Sequence, residues 1–281
     1  MHISMRKEVV GHTTGRIGLA LLALVILAAL AAPLLSGYDP FEQTPDALQS
    51  PSSTHWLGTN QVGQDIWSRL LYGARTSLAV GFGVATLSLL LSVLAGVPAA
   101  LTGGWYDKIL MRIVDVFIII PVFVVVILVA AYIRPDIPAL ILLLGALSWQ
   151  PGARVVRAQT LALKNRGHIQ AARTFGARGW YLTIRHILPD LGPILLVEFI
   201  HGVRRAVFME AGLAFLGIGD PGAVSWGIMM RNAMKFSYLD VWQWWLVPAG
   251  VMLSLTIIGL TFAGQAAEGA LDPGLRGEAV A

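Results

Sequence analysis

Residues 76–101 read TSLAVGFGVATLSLLLSVLAGVPAAL, a stretch without one charged side chain. A run of about 18 or more apolar residues is what an α-helix needs to cross a hydrocarbon core. The same signature returns along the chain. Residues 17–35 and 244–263 carry no charge, and residues 113–133 carry only Asp115. Residues 137–149 are apolar but too short to span alone. Continued through Gln150, Pro151 and Gly152 to Ala153 they reach the lower limit, with a kink expected at the proline. Residues 191–215 are long enough, although Glu198, His201, Arg204, Arg205 and Glu210 interrupt them. Composition agrees: 56% of the residues are hydrophobic and 13% charged, against roughly 25% charged for soluble domains. The expected fold is an all-α membrane protein, a polytopic bundle of six transmembrane helices.

The expected organisation is an N-terminal tail over 1–16, a first transmembrane helix over 17–36, and a loop over 37–75. A core of five helices over 76–267 and a C-terminal tail over 268–281 complete it. Orientation follows from Lys and Arg, which stay on the cytoplasmic side. Residues 154–185 hold seven basic residues and no acid. The loop over 37–75 holds Asp39, Glu42, Asp46 and Asp65 against Arg69 and Arg75. With six spans, both termini and the fourth connection are then cytoplasmic, and the 37–75 loop is extracytoplasmic. The net charge of +4 reflects this bias. No patch of Lys and Arg interleaved with aromatics points to nucleic acid.

Several chemistries lose their support. The first apolar run exceeds the usual 7–15 residues of a cleavable signal peptide, so it is read as a retained helix. The chain has no cysteine, which removes disulfides, thiolate metal ligands and thiol nucleophiles. Six scattered histidines show no ligand spacing. No G-x-x-x-x-G-K-[ST] pattern exists to cradle nucleotide phosphates.

Within the basic fourth connection the sequence reads Gln170-Ala171-Ala172-Arg173-Thr174-Phe175-Gly176, then nine residues, then His186-Ile187-Leu188-Pro189. Two apolar spans flank it, where a short docking helix would face the cytoplasm. Gly176 is the residue best suited to end that helix with a positive φ. Pro189 can open the next helix, where its missing N–H is harmless. The pattern resembles the EAA loop of binding-protein-dependent ABC importer permeases, whose consensus runs E-A-A, three residues, G, nine residues, I-x-L-P. Gln170 stands in place of the acid and His186 in place of an apolar residue.

The resemblance continues elsewhere. Leu57 to Leu78, beginning Leu57-Gly58-Thr59-Asn60, looks like the segment before the second span in the C-type permeases of dipeptides, oligopeptides and nickel. Glu210-Ala211-Gly212-Leu213-Ala214-Phe215-Leu216-Gly217 is similar to that family's E-A-x-L-S-F-L-G, followed by Ser225-Trp226-Gly227. Ala270-Leu271-Asp272-Pro273 matches its A-L-D-P ending. Residues 261–268 depart from the family's N-L-L-G-D-G-L-R, which bears on the substrate branch.

This resemblance implies a permease subunit and not an enzyme: ATP hydrolysis belongs to separate polypeptides, and the chain needs no cofactor or metal of its own. Implied partners are a second permease, two ATPase subunits, an extracytoplasmic binding protein and the lipid bilayer of the inner membrane. Gln170, Ala171, Ala172, Arg173, Gly176, Leu188 and Pro189 become the ATPase-coupling residues. The implied cargo is a peptide, with nickel or another metal chelate as the alternative. A membrane-embedded enzyme, and a channel or secondary transporter, are the competing classes. The first needs a nucleophile beside His201 and Glu198, and the second needs no ATPase.

Glu198, His201 and Arg205 are spaced three and four apart, so they share one helical stripe. Ionisable groups at membrane depth face protein or an aqueous cavity. The stripe is either a self-compensated structural cluster or part of the translocation path. Asp115 is expected to pair or cap near the inner interface. Trp242, Trp244 and Trp245 are expected in an aromatic belt at the outer interface.

Overall fold

The structure, a computed structural model, describes residues 13–270. Over that range the regular structure is helical. In chain order the elements are α1 (Thr13–Leu30), α2 (Ala32–Leu35), α3 (Ile66–Thr102), α4 (Gly104–Ile119), α5 (Val122–Ile133), α6 (Ile137–Ser148) and α7 (Gln150–Leu163). They continue with α8 (Gly167–Thr174), α9 (Gly179–Leu182), a π-helical turn (Thr183–Ile187), α10 (Leu188–Phe215), α11 (Trp226–Met234) and α12 (Trp242–Gly269). Four helical segments are long and apolar enough to cross a membrane singly: α1, α3, the continuous run Gly179–Phe215, and α12. Two bent pairs, α4 with α5 and α6 with α7, complete six spans. The chain is thus a polytopic helical membrane bundle.

α3 is the axis of the bundle, packed by α10 and α7 and touched by α6, α1 and α12. α1 lies along α12, where small residues let the backbones approach. A Cβ on Gly18 would come within 2.7 Å of Ala263 N and Phe262 Cβ. Likewise Gly96 abuts the backbone of α7, with Ala153 O at 2.6 Å from a built Cβ. Association without a hydrophobic driving force in lipid rests on such close contacts.

Two spans are broken where proline removes a helical N–H. α4 and α5 meet at Pro121 with a bend of 78°, and α6 and α7 meet beside Pro151 with a bend of 48°. The second kink is the one expected from the sequence. The first lies inside residues 113–133, read from the sequence as an unbroken span. That span begins at Gly104, nine residues before the apolar run, because Asp107 and Asp115 are held by arginines of α7 and so need not lie in a loop. Arg157 grips Asp107 with Nε and Nη2, and Arg154 reaches Asp115.

Other boundaries shift for equally physical reasons. α3 starts at Ile66 and not Thr76, since Asp65 caps it by accepting from Ser68 N at 2.8 Å. α7 runs on to Leu163, so about a third of what reads as a basic loop is the continuation of that helix. Trp245 is not in an aromatic belt: it is 1% exposed and packs in the core against Phe236, with ring centroids 6.1 Å apart. Trp242, at 37% exposure, keeps the surface place expected of it. Both tails fall almost wholly outside the described residues, as do Leu271, Asp272 and Pro273.

The end of the bundle opposite α8 is closed by residues 36–65. Asn60, Gln64 and Arg69 form a buried network in which Arg69 Nη1 donates to Gln64 Oε1 (2.6 Å) and Pro40 O (2.7 Å). Asn60 Nδ2 donates to the same Gln64 Oε1 at 2.8 Å. At that end Trp226 of α11, fully buried, donates from Nε1 to Leu70 O at 3.1 Å. Glu210 accepts from Ser77 Oγ at 3.0 Å. These side chains give a structural reason for the Leu57–Leu78 and Glu210–Gly227 motifs.

Candidate coupling helix and translocation path

Between the fourth and fifth spans the chain turns twice, and α8 is the short helix so presented. Its sequence GHIQAART gives it one apolar side. Ile169 is fully buried in a cluster with Val97, Val156, Leu163, Leu182, Ile187 and Leu191, and Ala172 packs against that cluster. Ala171, Arg173 and Phe175 point the other way and are exposed. Of the alanine pair, then, one seats the helix and one is displayed.

The end of α8 is a Schellman motif. Gly176 has φ +90°, as its type and place suggest. Gly176 N donates to Arg173 O (3.0 Å) and Ala177 N donates to Ala172 O (2.9 Å), which satisfies the last carbonyls of the helix. No neighbouring atom lies within 4 Å of a Cβ built at Gly176, so the glycine is required by conformation and not by space.

Side chains tie α8 to the spans on either side. Gln170 Nε2 donates to Lys164 O at 2.8 Å, closing the corner with α7. A carboxylate has no hydrogen to donate there, so the departure from an acid has a structural use. Lys164 Nζ in turn donates to Ala100 O at the last turn of α3 (3.1 Å). Toward the fifth span, His168 Nε2 lies 3.0 Å and Arg166 Nη1 3.8 Å from Asp190 Oδ2. Leu188 packs on the cluster around Ile169.

Pro189 lies in the first turn of α10, as its expected role requires, but that turn is not a free helix start. The helix starts at Gly179 and passes without interruption through the π turn Thr183–Ile187 into α10. A proline ring would clash with the carbonyl four residues back in a regular helix. The wider π turn just before Pro189 is the kind of local adjustment that absorbs such a clash. Three exposed aromatics in this corner escape a reading by motif: Phe175 (91%), Trp180 (73%) and Tyr181 (60%). The available signal was large aromatic residues in a connection otherwise basic and small.

The polar stripe of α10 is divided. His201 turns to α12, where Nε2 meets Glu268 Oε1 at 2.7 Å. Arg205 Nη2 is 3.7 Å from Glu198 Oε2, a loose pair with the guanidinium side chain 48% exposed. Arg205 also borders an open cavity of about 170 Å³, lined among others by Ser88, Ile118, Leu147, Gln150 and Met209. Glu210 is elsewhere, beneath α11.

A family model described as the binding-protein-dependent transport system inner membrane component matches residues 88–277. The chain belongs to that family. A second model, the N-terminal transmembrane domain of oligopeptide transport permease C, matches residues 6–51. Similar relatives cover nearly the whole permease. The oligopeptide transport system permease protein OppC of Bacillus subtilis is 36% identical over 263 residues, 92% of this chain and 85% of its own. The dipeptide transport system permease protein DppC of the same organism is 34% identical over 261 residues, with 92% and 81% covered. A putative peptide permease protein of Brucella suis is 37% identical over 259 residues, with 91% and 85% covered. The resemblance read from the motifs therefore names the right family. As a permease of this kind, the chain is a multi-pass transport subunit and its relatives are not enzymes.

Proposed function

We propose that this permease forms one half of the translocation path of an ATP-driven peptide importer, beside a second, different permease. One of two ATPase subunits docks on α8 from the cytoplasm, and an extracytoplasmic binding protein delivers cargo to the end closed by residues 36–65. The observation that carries the reading is the corner itself. α8 is braced to α7 through Gln170 and to α10 through Asp190, while Phe175 and Ala171 are left displayed. A docking helix transmits a push only if its junctions are stiff and its outer side is free for a partner to seat on. ATP-driven closure of the ATPases moves α8, and the braces pass that motion to the fourth and fifth spans. The relatives' names support a peptide over a metal chelate as cargo. The density of Lys and Arg at the α8 end supports both termini lying in the cytoplasm.

Because the chain has no cysteine of its own, single cysteines test docking and orientation together. In intact cells, Gln49→Cys should react with a membrane-impermeant maleimide and Phe175→Cys should not. In the assembled complex, Phe175→Cys should cross-link to an ATPase subunit through a short bifunctional maleimide. Surface labelling of Phe175→Cys would overturn the orientation. A cysteine there that never reaches an ATPase would overturn the docking.

A further inference from the structure

Two spans are broken beside the cavity that Arg205 borders. Proline lacks the N–H that would bond the carbonyl four residues back. For Pro121 and Pro151 those carbonyls belong to Phe117 and Leu147, and both residues line the cavity. Interrupted helices at membrane depth are tolerated where they are buried in protein or face a polar cavity. The walls are otherwise aliphatic, from Val84, Ile118, Val122 and Met209. Four side chains can donate hydrogen bonds: Ser88, Ser148, Gln150 and Arg205.

Arg205 is the decisive group. A guanidinium carries five N–H donors in a planar fork that fits a carboxylate with two parallel bonds. Here its one carboxylate contact among the described residues is a single approach of 3.7 Å to Glu198, beyond ordinary hydrogen-bond length. Glu198 sits one-sixth exposed (17%), within 3.8 Å of where a Cβ of Gly152 on α7 would be. The fork is thus charge-balanced but not bonded, and it is turned to a space of about 170 Å³. Water's share of liquid volume is about 30 Å³, so the space holds several waters or one aliphatic side chain with a terminal group.

Resting on the reading of the chain as a peptide permease, we propose that this cavity is a transient subsite for the C-terminal carboxylate of the passing peptide. Arg205 engages the carboxylate, Glu198 is the counter-ion it leaves, and the aliphatic wall receives the terminal side chain. Exchanging one carboxylate for another leaves the guanidinium neutralised throughout. The swap transfers the unpaired charge to Glu198, which is 17% exposed, so the engagement is short-lived.

The test uses the complete complex in proteoliposomes, saturated with its binding protein, and compares trialanine with trialanine C-terminal amide. The binding protein discriminates equally in every variant, so a change in the acid-to-amide uptake ratio reports on the permease. Arg205→Gln should lower that ratio by about tenfold or more, the loss typical of a site left without its charged partner. Arg205→Lys should keep part of it, having the charge without the fork. An assembled Arg205→Gln complex with the wild-type ratio overturns the subsite. So does a fall in assembly with an unchanged ratio, which would assign Arg205 to a contact with the second permease. Should Arg205→Gln not assemble at all, Glu198→Gln carries the test: releasing the fork should raise the ratio, and an unchanged ratio overturns the proposal. Wild-type complex that transports neither compound, though loaded with its binding protein, removes the peptide reading and this subsite with it.

Discussion

The two polar ends of this bundle are built on opposite principles. At the end formed by residues 36–65, glycines with positive φ are locked by space as well as conformation. A Cβ on Gly63 (φ +77°) would fall 2.1 Å from Thr44 O, and one on Gly58 (φ +69°) 2.2 Å from Gln49 O. Three polar side chains there are buried and hydrogen-bonded: Asn60 is 1% exposed, Asp65 4% and Arg69 7%. At the α8 end the glycine that matters meets nothing, the aromatics stand in the open, and the corner is held by a few side-chain bonds near the surface. One end is a closed cap that fixes the helices. The other is a braced corner that presents a surface, the one proposed here as the coupling lever. A glycine in a motif therefore has two separable uses, and substitution distinguishes them.

The largest effect should come from the cap. Gly63→Ala forces a Cβ into a backbone carbonyl that cannot rotate away, and it adds left-handed strain of about 1–2 kcal/mol. Destabilisation above ~2 kcal/mol is expected, read as a loss of folded protein after detergent extraction and size-exclusion chromatography. Wild-type yield would mean that this end is as open as the other.

A smaller effect belongs to the lever. Gln170→Glu keeps the shape of the side chain but loses the N–H that Lys164 O accepts, a bond with a net contribution of about 0.5–1.5 kcal/mol. Yield should stay near that of the wild type, while uptake per ATP hydrolysed declines a few-fold. An unchanged coupling ratio would show that the Gln170 brace transmits nothing.

How legible these regions were follows from what each depends on. The six spans are visible because lipid demands long uncharged runs, and the Gly176 turn because one residue type suits a positive φ. Pro121 was also visible, yet apolar sequence on both sides of it gave no sign that the span turns there by 78°. The charges at Asp107, Arg154 and Arg157 suggested loops, because their pairing across α4 and α7 is set by packing and not by local pattern. Similarly, spacing put His201 on the stripe of Glu198 and Arg205, but its partner Glu268 lies on another helix 67 positions away. Pro189 shows the limit of a local rule: proline marks the first turn of α10 correctly, yet helical backbone already runs into it from Gly179 through a π turn. The aromatic face of the α8 corner went unread because exposure depends on what surrounds a residue in space.

The account stands most directly on Gly176. Open space around it means that a substitution there changes the end of α8 without disturbing a packed neighbour. The decisive measurement is uptake and substrate-stimulated ATP hydrolysis in proteoliposomes of Gly176→Val and Gly176→Asn beside the wild type. Asparagine accepts positive φ far better than a β-branched residue. Gly176→Asn should therefore keep most of both activities. Gly176→Val should assemble in normal amount and lose uptake together with stimulation. Full uptake and normal stimulation in an assembled Gly176→Val complex would contradict the role of α8 as the coupling lever.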